Sequence, residues 1–348
     1  MIIFNSIFLF TVLELIISVI RWYKSGVKND VKIMSKDSTL TLRGVAIIGI
    51  LIHHCSQYFD SLGPFQFAIK QSGYALTAVF FLFSGYGCWY SLRKISGGGT
   101  TNRLSKTTKW ALNHSLRIWF DFIIVFVLNV IAFKIFNVTD GMSAKELIKD
   151  FFTLTEPTWV SWYPKIQIAC YVVLALAFLI NEKRKEMITL TVTIVYIAFA
   201  YKFGLASMWY TSVICFPVGM LFAKYLNKYT ISKNKLIISS IVSLLAFGCL
   251  FYLQTIIYQS LIRLVSTLFL AVFIVSITGL FEFNSNLLKK IGNMSFEIYL
   301  IHLFLLRVAV ENGYKANISI LLIFVLSLFV SYPINKLVVM INKKIISK

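Results

Sequence analysis

Apolar runs of about twenty residues, the length an α-helix needs to cross a bilayer, recur from one end of this chain to the other. In order they lie near 2–20, 43–59, 73–92, 117–136, 166–181, 187–203, 207–224, 236–253, 261–281, 294–310 and 316–335. A chain that is 58% hydrophobic and 14% charged is not an ordinary soluble globule. The expected fold class is all-α: a polytopic membrane helical bundle of about eleven transmembrane helices.

Charge then sets the orientation. A formal charge of +20 would suggest nucleic acid in a soluble protein, but here the basic residues sit in short clusters between apolar runs. With the N-terminus outside, the inner segments hold 25 of the 34 Lys and Arg residues, and the other nine lie outside or near helix ends. That split favours an outside N-terminus and a cytoplasmic C-terminus, with membrane lipids rather than nucleic acid as surroundings. The first run follows the uncharged "MIIFN" and precedes Arg21 and Lys24, which suits a retained anchor better than a cleaved signal. Cys55, Cys88, Cys170, Cys215 and Cys249 are scattered without ligand spacing, so they are expected to pack, and no metal is expected. "ISGGGT" (95–100) reads as a flexible inner linker. The polar stretches at 21–42, 93–116 and 137–165 are too short to bury a core, leaving one membrane domain.

Ionisable residues inside a span are costly, so each is a functional candidate. In "LTLRGVAIIGILIHH" (40–54), Arg43 and His54 are eleven residues apart, which on an α-helix brings them within about 20° of a common face, whereas His53 falls about 80° aside. The rise between them is about 16 Å, so an arginine at the inner boundary puts His54 near mid-membrane and leaves His53 a bystander. That arrangement suits acyl-coenzyme A, with phosphates for the arginine and a thioester reaching inward. In "AVFFLFSGYG" (78–87), Ser84 and Gly85 permit close helix packing, with lining of a cavity as the alternative for Ser84. Arg117, at the expected start of a span, is a topology signal or a second phosphate contact, with Asp121 four residues on as an ion-pair partner. Trp159, Trp162 and Tyr163 read as interfacial aromatics or as a platform for a sugar. Ser295, Tyr299 and His302 recur at i, i+4 and i+7 and form one polar stripe facing the bundle or a cavity. Glu297 lies off that stripe and is expected to be solvated or structural.

Through these residues the chain resembles the integral-membrane acyltransferase family 3, the glycan O-acyltransferases. The resemblance rests on the Arg43-Gly44 to His54 helix, "FFLFSGY" (80–86), Arg117-Ile118, "SWY" (161–163), "FPVGMLFA" (216–223) and "SFEIYLIH" (295–302), in the family's order. It implies a ten-helix core with both ends cytoplasmic, so that residues 1–42 add an extra N-terminal helix and linker, 43–336 form the acyltransferase domain, and 337–348 are a basic tail. It further implies an O-acetyltransferase that moves an acyl group from acetyl-CoA, a co-substrate, to a hydroxyl of a cell-surface or lipid-linked polysaccharide. His54 is the expected catalytic residue, Arg43 and Arg117 the donor contacts, and Ser84, Trp162, Tyr163, Ser295, Tyr299 and His302 the lining of the cavity. The expected location is a bacterial plasma membrane, with polysaccharide-assembly proteins as partners. Two positions depart from the family pattern: the acidic residue often found just before the Arg-Gly is absent, Leu40, Thr41 and Leu42 standing there, and His114 stands where the family often has an arginine. The competing readings are a transporter or flippase of glycan precursors, and a non-catalytic scaffold.

Overall fold

The computed structural model describes residues 2–26, 32–58, 63–95, 100–135, 143, 145–146, 149, 161–311, 313 and 317–346. Among these residues thirteen α-helices are traced, with one turn of 3-10 helix at Ser207–Trp209 and no strand. They are α1 (Ile2–Lys24), α2 (Lys36–Ser56), α3 (Pro64–Lys70), α4 (Gly73–Arg93), α5 (Thr100–Ile135), α6 (Trp162–Ile180) and α7 (Lys185–Lys202). After them come α8 (Cys215–Lys228), α9 (Lys233–Ile257), α10 (Ser260–Leu280), α11 (Asn286–Asn293), α12 (Ser295–Glu311) and α13 (Asn317–Ile346). Eight are long and apolar enough to cross a membrane, and α11 with α12 makes a ninth crossing if that pair, bent by 73°, is one span. Leu245, Phe329 and Ile180 are at least 65% exposed, an outward apolar surface that suits lipid. The chain is a multi-pass helical membrane protein.

Two spans differ from the hydropathy reading. The run at 117–136 is the second half of α5, because the polar residues 100–116 contain no helix breaker and continue the same 36-residue helix. The run at 207–224 is divided: a 3-10 turn and further turns precede α8, which has 14 residues.

Helix α2 sits at the centre, packed against α4, α11 and α12, while α4 also meets α8 and α10. Its start is fixed locally: the Ser35 hydroxyl accepts from the Ser38 amide at 3.1 Å, and Asp37 in the first turn complements the helix dipole. Two crossings are set by glycine. A Cβ at Gly44 would strike the carbonyl of Leu288, and one at Gly292 the carbonyl of Leu40, so α2 and α11 touch backbone to backbone. Gly85 and Gly219 do the same for α4 and α8, against the carbonyls of Phe216 and Leu82.

Polar ties complete the packing. α1 lies against α2 and α13 and is pinned by Gln66 donating to Asn5 at 2.8 Å and Ser285 donating to Glu14 at 2.8 Å. At the end of α4 near Arg93, the buried Glu186 carboxylate binds Lys185 at 3.0 Å, Lys224 at 2.9 Å and the Trp89 indole N–H at 2.6 Å, joining α4, α7 and α8.

Candidate active site

Arg43 and His54 open into different cavities at opposite ends of the bundle. The first, about 660 Å³, is lined by Arg43 and Arg117 together with Ser84, Tyr163, Asp121 and Glu297. The second, about 440 Å³, is lined by His53, His54, Trp162, Tyr299, Lys70 and Arg263. α4 contributes Gly73, Tyr74 and Thr77 to the histidine chamber and Phe80 to Ser91 to the arginine chamber, the reverse order to α2. Between them a space of about 20 Å³, lined by Arg43, Thr77, Phe80, Tyr163, Ser295, Phe296 and Tyr299, shares residues with both chambers. The face that carries Arg43 and His54 thus follows a track from one chamber through a narrow throat to the other.

The polar stripe on α12 runs beside that track. Ser295 accepts a hydrogen bond from Arg43 Nη2 at 3.1 Å, Tyr299 stands in the throat with its ring 5.3 Å from that of Tyr163, and His302 reaches His54, their rings 5.1 Å apart. His302 is buried, and its Nδ1 donates to the Ile298 carbonyl at 3.1 Å. In the neutral ring this leaves Nε2 as an acceptor, and that atom is buried without a partner. Arg43 also lies over the Phe80 ring at 5.8 Å, and its Nε has no partner.

The remaining expected site residues divide between the chambers. Ser84 both packs and lines: its hydroxyl accepts from Gln167 Nε2 at 2.8 Å, sits 3.2 Å from the Tyr171 hydroxyl, and faces the arginine chamber. Trp162 lines the histidine chamber and Tyr163 the arginine chamber and throat, while Trp159 lies outside the described residues.

The structure sharpens four positions. The helix that carries Arg43 begins at Lys36, about two turns or roughly 10 Å before the apolar run expected near 43–59. Arg117 is in the middle of α5 rather than at its start, and among the described residues it forms no ion pair with Asp121, whose Oδ1 is buried without a partner. Of the two expectations for Glu297, solvated or structural, its burial fits the second, with one oxygen accepting from Asn335 at 2.7 Å. His53 lines the same chamber as His54, its Nδ1 donates to the Ile69 carbonyl at 3.1 Å, and its Nε2 accepts from Gln57 at 3.2 Å. With both nitrogens engaged, His53 ties α2 to α3, whereas His54 faces the chamber.

A family model described as an acyltransferase domain matches residues 41–336, from just before Arg43 into α13. The chain belongs to acyltransferase family 3. No curated protein and no solved structure matches it. Both chambers and the throat of this membrane acyltransferase lie within the matched residues except for Val338 and Val339. Among the described residues no group of three or more His, Cys, Asp or Glu side chains is placed to hold a metal.

Sequence reasoning did not single out Lys70, Tyr74, Gln57 and Arg263 in the histidine chamber, or Tyr171 and Asn335 in the arginine chamber. Lys70 and Arg263 were visible only as basic residues near helix ends. That they line one chamber depends on the packing of α3 and α4 against α2 and of α10 against α4, which no local spacing reveals.

Proposed function

We propose that the protein is an O-acetyltransferase that takes acetyl-CoA into the arginine chamber from the cytoplasm and acylates a glycan hydroxyl in the histidine chamber. The observation that carries the reading is that Arg43, Ser295 and Tyr299 line a throat of about 20 Å³ between the chamber of Arg43 and Arg117 and that of His54, with Tyr299 shared by the throat and the histidine chamber. Arg43 and Arg117 hold the donor's phosphates, and the thioester end reaches the throat. His54 accepts the proton of the attacking hydroxyl as the new carbon–oxygen bond forms, and the carbon–sulfur bond breaks to release coenzyme A. Tyr163 and Tyr299, which line the throat, donate from their hydroxyls to the carbonyl oxygen as it gains charge under this reading. Nε2 of His302 is available to accept from the His54 ring, orienting its proton-accepting nitrogen.

The topology proposed with this chemistry has eleven crossings, counting α7 and α8 as spans and α11 with α12 as one, an outside N-terminus and a cytoplasmic C-terminus. It places the arginine chamber inside and the histidine chamber outside, as a bacterial plasma-membrane enzyme acting on surface or lipid-linked polysaccharide requires. α1 is then accessory to the catalytic domain, and polysaccharide-assembly proteins are its natural neighbours.

The test is transfer of label from acetyl-CoA into envelope glycan in membranes that contain the protein. His54→Ala abolishes labelling under this reading. Full labelling by His54→Ala, with none by His53→Ala, overturns it.

A further inference from the structure

The two chambers differ in charge. The arginine chamber sets Arg43 and Arg117 against Asp121 and Glu297, whereas Lys70 and Arg263 in the histidine chamber face no carboxylate among its lining residues. Neither Lys70 nor Arg263 forms an ion pair among the described residues. Both are half-buried at the mouth of the chamber, where a cation without a protein counter-charge is open to pairing with an anionic ligand. Arg263 is also held in place: Nε donates to Gln254 at 2.9 Å, Nη1 to Ser207 at 3.4 Å, and the guanidinium lies over the Tyr74 ring at 5.8 Å. Gln254, which receives the first of these bonds, is fully buried. Nη2 has no hydrogen-bond partner among the described residues, which leaves that end of the fork for a ligand oxyanion.

We propose that the acceptor glycan is anionic, with a phosphate or carboxylate in its repeat unit bound by Arg263 and Lys70 while the neighbouring hydroxyl meets His54. This rests on the acyl-transfer reading above. Trp162 supplies an aromatic surface for the sugar ring in the same chamber. A topology signal alone would account for two basic residues near helix ends. It would not account for a buried glutamine that orients one of them into a chamber with no acidic side chain among its described lining residues.

The experiment compares envelope glycans from cells with the protein, without it, and with variants in its place. The glycans are released from any lipid carrier by mild acid, separated by anion exchange and weighed by mass spectrometry. The proposal expects the acyl mass lost on deletion to come from a retained, charged fraction. It also expects Lys70→Gln and Arg263→Gln each to lower acylation about threefold to tenfold at equal protein level. Lys70→Gln breaks no side-chain hydrogen bond or ion pair among the described residues, so its loss of function is not a folding effect. Acyl mass lost only from an unretained, neutral fraction overturns the anionic acceptor and leaves acyl transfer standing. Unchanged acylation in the Lys70→Gln, Arg263→Gln double variant also overturns it. No mass change in any fraction on deletion overturns acyl transfer to glycan, and this proposal with it.

Discussion

Two glycines on one helix, Gly85 and Gly87, respond in opposite ways to the same added methyl group. At Gly85 the new Cβ would fall on the carbonyl oxygen of Phe216, and the obstacle is backbone, which cannot rotate aside. Restoring ordinary contact requires α4 and α8 to separate by about 1.5 Å along a seam that is otherwise closely packed. Overpacking of this kind costs about 1–3 kcal/mol, a factor of roughly five to more than a hundred in the folded population. At Gly87 nothing lies within 4 Å of the added methyl, and the intrinsic preference of helices for alanine contributes about 1 kcal/mol in the stabilising direction. The two variants therefore differ by about 2–4 kcal/mol although they add the same atoms two residues apart. The assay is the midpoint at which detergent-solubilised protein stops eluting as a single species after heating, with Gly85→Ala melting below wild type and Gly87→Ala at or above it. Gly219→Ala should match Gly85→Ala, and the double variant should cost less than the sum, because one separation relieves both clashes. Equal heat resistance of Gly85→Ala and Gly87→Ala would refute the close crossing.

Three further outcomes follow from the site and its supports. His54→Ala lowers acetyl transfer in membranes by about 10²–10⁴, as loss of a general base does, while His53→Ala retains partial transfer and loses about 1–3 kcal/mol of stability with its two hydrogen bonds. The result is read by labelled transfer and by heat resistance on the same samples. Arg43→Lys keeps the charge but loses the fork that holds Ser295, so the KM for acetyl-CoA rises about tenfold with a smaller change in kcat; an unchanged KM counts against donor binding there. Glu186→Gln strips the charge from a buried carboxylate held by two lysines and an indole and destabilises the protein by about 1–3 kcal/mol, seen as a lower heating midpoint with the KM for donor unaffected.

The parts of the site legible in the sequence are those on a single helix. Spacing along α12 is enough to align Ser295, Tyr299 and His302, and spacing along α2 is enough to put Arg43 and His54 on one track. Hydropathy misjudged Arg117 because it counts apolar residues, whereas the polar first half of α5 is helical by propensity and hydrogen bonding. The same limitation hid the break at 207–214, where the residues remain apolar while the backbone turns. His53 was set aside on its angle around α2, but α3 packs close enough to engage both of its ring nitrogens. Arg263 and Lys70 were not legible as a pair: they are far apart in the chain and meet only through the assembled bundle.

The throat also has an electrical meaning. In the proposed topology two chambers set back to back bring the two bathing solutions toward each other, so the membrane voltage falls mainly across the short barrier that Tyr163, Tyr299 and Phe80 line. A charged group crossing it would exchange about 2.3 kcal/mol per 100 mV with the field. On the same proposal the acetyl group, being neutral, crosses at no electrical cost, while the phosphates of the donor stay on the side they entered. A barrier of that kind would let an acyl group pass an energised membrane without a leak of ions.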